Sequence, residues 1–260
     1  HSAFRSRCIE FRYFPHSGVQ DPAGVRNVRG FDTDGHGTHV CGILAAKRTG
    51  IAPAVNLHVA SVIESETLRA SIWRTFFALD WVYRWFTDRR YRNVPCVINL
   101  SLCFFEDRME QDEVDAWKLM LHRPLQDLER KGALIVAAAG NRGAGHIGFP
   151  AKFDFVLSVG AVDKEQRVAD FSGLPTRDAP RDIYGFGVDV VSALERDRDG
   201  RSQYLSMSGT SMAAPYVSGL AAMLFATKPS ATAREVREHL LNTALKASDG
   251  VPIARFQHWP

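Results

Sequence analysis

Two kinds of apolar run alternate along the chain. Short, nearly unbroken stretches occur at Asn56 to Ile63, Val94 to Leu102, Ala133 to Ala139 and Phe155 to Val162. Runs of that length, rich in Val, Ile and Ala, suit strands buried on both faces of a parallel sheet. Between them, apolar positions fall three and four apart, as at Leu68, Ile72, Phe76, Leu79, Val82 and Trp85 within 66–85. That spacing predicts amphipathic helices covering the sheet. Helices are also expected over 36–46, ahead of Lys131-Gly132, where glycine suits a C-terminal cap, along Met212 to Ala226, and over 232–245. Ile183 to Leu194 predicts shorter strands near a sheet edge. Residues 1–35, rich in Gly, Pro, Arg and Asp, read as loop with one candidate strand at Ile9 to Phe14. The order strand, helix, strand, helix, strand predicts an α/β fold: three αβα layers around a mostly parallel central sheet, in one domain.

Composition narrows the class without naming a chemistry. At 260 residues, 45% hydrophobic and 23% charged, the chain is ordinary for a globular protein and long enough for a large core. The net charge of +3 includes a basic cluster at Arg84, Arg89, Arg90 and Arg92, but acids are interleaved with it. A solvated surface is expected rather than a nucleic-acid footprint. Four cysteines, Cys8, Cys41, Cys96 and Cys103, form no CxxC pair, which predicts buried thiols and leaves one disulfide open. Met212 to Ala226 is the longest apolar run; it is broken by Pro215, Ser218 and Gly219 and too short to cross a membrane. His1 to Arg5 lack the apolar centre of a leader peptide.

In open parallel sheets, reactive groups gather at the carboxyl ends of strands. His36, Ser101, Asn141 and Ser211 each fall at a predicted strand end or helix start. Ser211 lies in a turn-to-helix segment, Ser208 to Pro215, where first-turn N–H groups lack helical partners and would meet a negative oxygen forming beside the serine. The competing role is a helix cap. A serine needs a base, and His36 is the candidate. His39, three residues on, reads as helix packing; a zincin pair would stand at i and i+4 with Glu after the first His, and neither condition holds. Asn141 can donate to an oxyanion, or serve as a turn residue beside a solvent-facing Arg142.

Taken together, Asp34-Gly35-His36-Gly37-Thr38-His39-Val40, Ala138-Ala139-Gly140-Asn141 and Gly209-Thr210-Ser211-Met212-Ala213-Ala214-Pro215 resemble the subtilisin (subtilase) family of serine proteases, in the family's order. The resemblance extends to Gly50-Ile51-Ala52-Pro53, Ile98 to Leu102 and the Phe149-Pro150-Ala151 corner. It implies a serine endopeptidase with Ser211 as nucleophile, His36 as general base and acid, and Asn141 as oxyanion donor beside the Ser211 N–H. It implies that Ser101, Leu102 and Cys103 pair with substrate as an added strand, and that Ala139, Gly140 and Gly148 bound the pocket. In subtilisin itself, losing one oxyanion donor costs about 10²–10³ in rate, a figure carried over from a relative. The implied partner is a peptide or protein substrate, with no nucleic acid or membrane, and the chain itself is expected to be a monomer. Calcium is common in the family. Asp197-Arg198-Asp199-Gly200 is only a fragment of a calcium loop, so no cofactor and no metal ligand is assigned.

Two departures stand out. The family's triad aspartate, in an Asp-(Ser/Thr)-Gly motif ahead of the histidine, is not found: Asp32 and Asp34 are too close to His36, and Asp21 has no strand before it. His1-Ser2-Ala3-Phe4 resembles the segment just after that motif. Residues 1–260 are therefore expected to be a single subtilisin-like peptidase domain, incomplete on its N-terminal side, with little activity alone; the loss of that carboxylate in subtilisin costs about 10⁴-fold. The alternative is a pseudoprotease or truncated fragment that binds peptides without cutting them. A serine esterase would want Gly-x-Ser-x-Gly, whereas Ser211 lies in Gly-Thr-Ser-Met-Ala. The second departure is Cys103-Phe104-Phe105, where the family usually places glycines. These side chains predict a narrowed pocket, open toward Gly148, and weak cleavage after bulky aromatics. Cys41, behind the histidine motif, is expected to be a buried packing residue.

Overall fold

The computed structural model describes residues 1–4, 9–14, 32, 34–64, 69–70, 72–91, 93–108, 111–173, 183–196, 199–247 and 250–260. In chain order the elements are β1 (Ile9–Tyr13), α1 (His36–Ala45), β2 (Leu57–Ser61), β3 (Ile63–Glu64), β4 (Arg69–Ala70), α2 (Ile72–Phe86) and β5 (Cys96–Leu100). They continue with α3 (Gln111–Arg130), β6 (Ala133–Ala138), β7 (Leu157–Val162), β8 (Ile183–Phe186), β9 (Val190–Arg196) and β10 (Ser202–Met207). The last are α4 (Thr210–Thr227), α5 (Ala233–Asn242), β11 (Leu245–Lys246) and β12 (Pro252–Ile253). The predicted strands and helices are found, most of them shorter than their apolar runs. The helix expected from residue 66 begins at Ile72, and β10 to β12 carried too weak an apolar pattern to be read.

The central sheet has six strands in the order β11-β12-β8-β7-β6-β5, parallel from β12 through β5. Alternation along a strand sends successive side chains to opposite faces. In β6 both faces are buried, and they divide cleanly. Leu134, Val136 and Ala138 join Leu157 and Val159 of β7 against α4 and α5, through Val217, Leu220, Leu224 and Leu240. Ala133, Ile135 and Ala137 face the other way, against Leu121, Leu125 and Leu128 of α3 and Leu79 of α2. Three layers result. Helix α3 ends where Gly132, at φ 101°, takes a conformation that a side chain would strain, as its sequence position suggested.

Strands β1 and β2 form a separate two-stranded parallel ladder, in register from Ile9 with Leu57 to Tyr13 with Ser61. Among the described residues no ladder joins β2 to β5, so each is the edge of its own sheet on that side. The antiparallel pair β9–β10 lies against α1, where the Ser192 hydroxyl donates to the His39 carbonyl at 2.9 Å. No described helix is long and apolar enough to cross a membrane.

Candidate active site

Four segments meet at the carboxyl end of the sheet: the starts of α1 and α4, the residues leaving β5, and the turn leaving β6. Helix α1 begins at His36 itself, with Gly35 before it at φ 79°. A side chain there would also press on the ends of Leu194 and Glu195, which can move aside, so it is the backbone angle that calls for glycine. Asp32 and Asp34 fasten this helix start. Asp32 Oδ1 accepts from Gly35 N at 3.2 Å and Oδ2 from Thr38 N at 2.6 Å, while Asp34 Oδ1 accepts from His36 N at 3.0 Å. The acidic turn is thus a cap for the histidine helix, a role its position four residues ahead of His36 could have signalled.

The His36 ring makes no hydrogen bond with a described residue. Burial lowers its pKa from the ordinary value, opposed by the charges of Asp34 and Asp32. Asp34 is shifted the other way: burial raises its carboxyl pKa, and its Oδ2 has no hydrogen-bond partner. His39, fully buried, bonds the Leu205 carbonyl through Nε2 at 2.9 Å and so ties α1 to β10. Burial pushes the Cys41 thiol up to about 12, which removes thiolate chemistry from behind the histidine.

Helix α4 brings Ser211 to the same end, because Val40 and Ile43 of α1 pack on Met212. Ser211 is the second residue of the helix, and it does not cap it: the N-cap position is Gly209, which has no side chain to do so, and Ser211 Oγ lies 3.4 Å from the Ser101 carbonyl oxygen. Four residues on, Pro215 has no N–H to give the Ser211 carbonyl its helical bond. The Ser101 hydroxyl supplies the missing donor at 2.9 Å. Ser101 Oγ in turn accepts from Asn99 Nδ2 at 2.9 Å, and Asn99 Oδ1 accepts from Ser218 Oγ at 3.0 Å. One polar chain therefore joins the end of β5 to the first three turns of α4.

Asn141 follows Gly140 in the turn after β6. Its Oδ1 accepts from Thr210 N at 2.9 Å and Thr210 Oγ1 at 2.8 Å, which fixes the amide orientation; Thr210 Oγ1 also accepts from Gly140 N at 3.1 Å. With its oxygen occupied, Asn141 presents Nδ2 without a hydrogen-bond partner. Nδ2 lies 3.2 Å, and the Ser211 backbone nitrogen 3.7 Å, from the point where a side chain on Gly209 would begin. Neither donor is bonded to a described residue, so two N–H groups lie near one point, with Met212 Sδ 3.7 Å from it. Thr210 was not singled out from the sequence. Its hydroxyl is what orients the asparagine.

Opposite the Ser101-Leu102-Cys103 segment stand Ala139, Gly140 and Gly148. The Phe104 and Phe149 backbones exchange hydrogen bonds at 2.8 Å each, pinning the two walls together. Cys103 is a free, half-buried thiol pushed up to about 12 by burial, with Sγ 3.6 Å from the Ala139 carbonyl oxygen. Arg142 is not the solvent-facing residue expected. It lies over the Phe105 ring at 3.8 Å and reaches both carboxylate oxygens of Asp107 at 2.7 Å.

The Subtilase family pattern matches residues 10–257, nearly the whole chain. The chain belongs to the subtilase family. It is 45% identical over 256 residues to the subtilisin-like protease PopC of Myxococcus xanthus (strain DK1622), covering 95% of this chain and 53% of that protein. To subtilisin DY of Bacillus licheniformis it is 34% identical over 227 residues, covering 84% of this chain and 73% of the relative. A cold adapted subtilisin-like serine proteinase superimposes with a TM-score of 0.78 at 24% identity, covering 100% of this chain and 85% of that one, a likeness of fold. The chain thus spans about half the length of the PopC protein it matches. Subtilases commonly bind calcium. Among the described residues no group of three or more His, Cys, Asp or Glu side chains is placed to share a metal ion. Asp197 and Arg198 of the loop fragment lie outside the described residues, as does Asp21.

Proposed function

We propose that this chain is the peptidase domain of a serine endopeptidase working through an acyl-enzyme on Ser211. Ser211 Oγ attacks the peptide carbonyl carbon as its proton passes to His36. The carbonyl electron pair becomes an oxyanion between Asn141 Nδ2 and the Ser211 N–H. Collapse of that intermediate expels the amine, which takes the proton from His36, and water repeats the sequence to free the acid and Ser211. The substrate backbone pairs along Ser101, Leu102 and Cys103, with Ala139, Gly140 and Gly148 bounding the side-chain pocket. The observation that carries this reading is the pair of unbonded donors lying near one point at the start of the serine's helix.

In this reading the carboxylate that orients His36 comes from sequence outside residues 1–260. The His36 ring, unbonded to any described residue, supports this, and so do the edges of β2 and β5, which no described strand joins and where a further strand could pair. A fluorophosphonate probe and casein hydrolysis test it on two forms, residues 1–260 and the same chain extended upstream as its gene encodes. The extended chain is expected to label at Ser211 and to cleave casein about 10⁴-fold faster than residues 1–260. Equal rates would refute the external carboxylate. Failure of Ser211 to label in the extended chain, with labelling unchanged by Ser211→Ala, would refute the serine mechanism and leave peptide binding without cleavage.

A further inference from the structure

The pocket between Gly140 and Gly148 is filled by this chain's own side chains. A side chain begun at Gly140 would meet Phe105 Cζ at 2.7 Å and Cys103 Sγ at 3.1 Å. One begun at Gly148 would collide with Cys103 Sγ and come within 2.7 Å of the Phe104 carbonyl oxygen. The faces that glycine leaves bare are therefore occupied by a thiol and by the edge of an aromatic ring. No room for a second ring remains at either glycine.

Several contacts hold that ring. The Arg142 guanidinium lies 3.8 Å above it, within cation–π range. Asp107 binds the same guanidinium from the far side, and although that ion pair is partly exposed and weak alone, it fixes where the guanidinium stands. On either flank the segment is anchored again, by the Phe104–Phe149 bridge and by Glu106, which accepts from Lys152 at 2.9 Å and pairs with Lys118. Phe105 is thus bracketed by fastened neighbours, with Arg142 supplied by the same turn as Asn141.

We infer that Phe105, positioned by Arg142 and backed by Cys103, closes the side-chain pocket, so that the residue donating the scissile carbonyl is small: glycine, alanine or serine. This rests on the proposed peptidase reading and specifies its substrate class. Phe105 and Cys103 set the size limit; Arg142 acts through Phe105 as a positioning residue.

The test reads binding, which needs no working triad. Acetylated tetrapeptide amides ending in alanine or phenylalanine, otherwise identical, compete for the chain against a fluorescent peptide. The alanine peptide is expected to bind about tenfold or more tightly than the phenylalanine peptide, the lower end of an overpacking penalty. Phe105→Ala is expected to erase or reverse that preference. Arg142→Met, which keeps the stem and loses the charge, is expected to shrink it, and serves if Phe105→Ala proves poorly folded by circular dichroism. Equal binding of the two peptides to the unmodified chain, or a preference unchanged in both variants, would overturn the inference. Fluorophosphonate labelling of Ser211 in the extended chain reports the catalytic reading separately, since that small probe does not enter the pocket.

Discussion

Three imidazoles are held below their ordinary pKa by burial: His36 at the start of α1, His39 behind it, and His58 on β2. Asp34 and Asp32 oppose the shift at His36 and Glu10, 3.2 Å from His58 Nδ1, opposes it there, but burial outweighs them. The sign follows directly. As pH falls below about 6.5 the unfolded chain takes up protons that the folded chain resists, so stability is full above that value and declines toward the lowered folded pKa values. The midpoint of thermal unfolding is expected to drop between about pH 7.5 and 5.5, and His58→Gln to flatten that slope. A midpoint that stays level or rises over the same interval would contradict it. In the proposed mechanism a neutral His36 is also the form the general base requires, so the burial that costs stability in acid would widen the pH range in which that base is ready.

Secondary-structure elements were legible wherever a single physical demand dominated. Strands β5, β6 and β7 announce themselves because both faces are buried, and α4 because nearly every side is. The short strands β11 and β12, and β10 with its exposed Tyr204 and Leu205, carry no such pattern and depend on tertiary pairing. Motif order alone singles out His36, Asn141 and Ser211 as candidates, and their roles belong to the proposed reading. Thr210, Asp107 and Arg142 were not legible that way, since their roles arise from residues 69, 35 and 35 positions away. Helix α3 commits one face to the core, with Leu121, Leu125 and Leu128 fully buried. Leu125→Ala is expected to cost about 2–5 kcal/mol, read as a lower denaturant midpoint with an unchanged slope. A loss well under that range would mean that the α3 face repacks.

At the scale of the whole molecule, the proposed site draws on both ends of the chain. His36 comes from the first fifth and Ser211 from the last, and their helices are joined where Val40 and Ile43 of α1 pack on Met212 of α4. Among the described residues β2 and β5 keep unjoined edges. Unpaired strand edges expose backbone donors and acceptors to any chain able to pair with them. A strand inserted there would fasten the β1–β2 ladder to the main sheet as well as bring a group toward His36. Folding and activation would then draw on the same event.

The hydroxyl of Ser101 answers a vacancy that Pro215 creates, across 110 residues of sequence between Ser101 and Ser211. Ser101 and Pro215 therefore belong to one energetic unit, linked through the Ser211 carbonyl. Pro215→Ala would return a helical donor to the Ser211 carbonyl and make the Ser101 hydroxyl redundant. Ser101→Ala alone would strand that carbonyl, at a cost of about 1–3 kcal/mol. In a double-mutant cycle the second change should cost clearly less when the first is already present. Strict additivity would show the two to be independent. Coupling between them would constrain drift at either residue by the state of the other, a covariance invisible to any reading of the motifs one at a time.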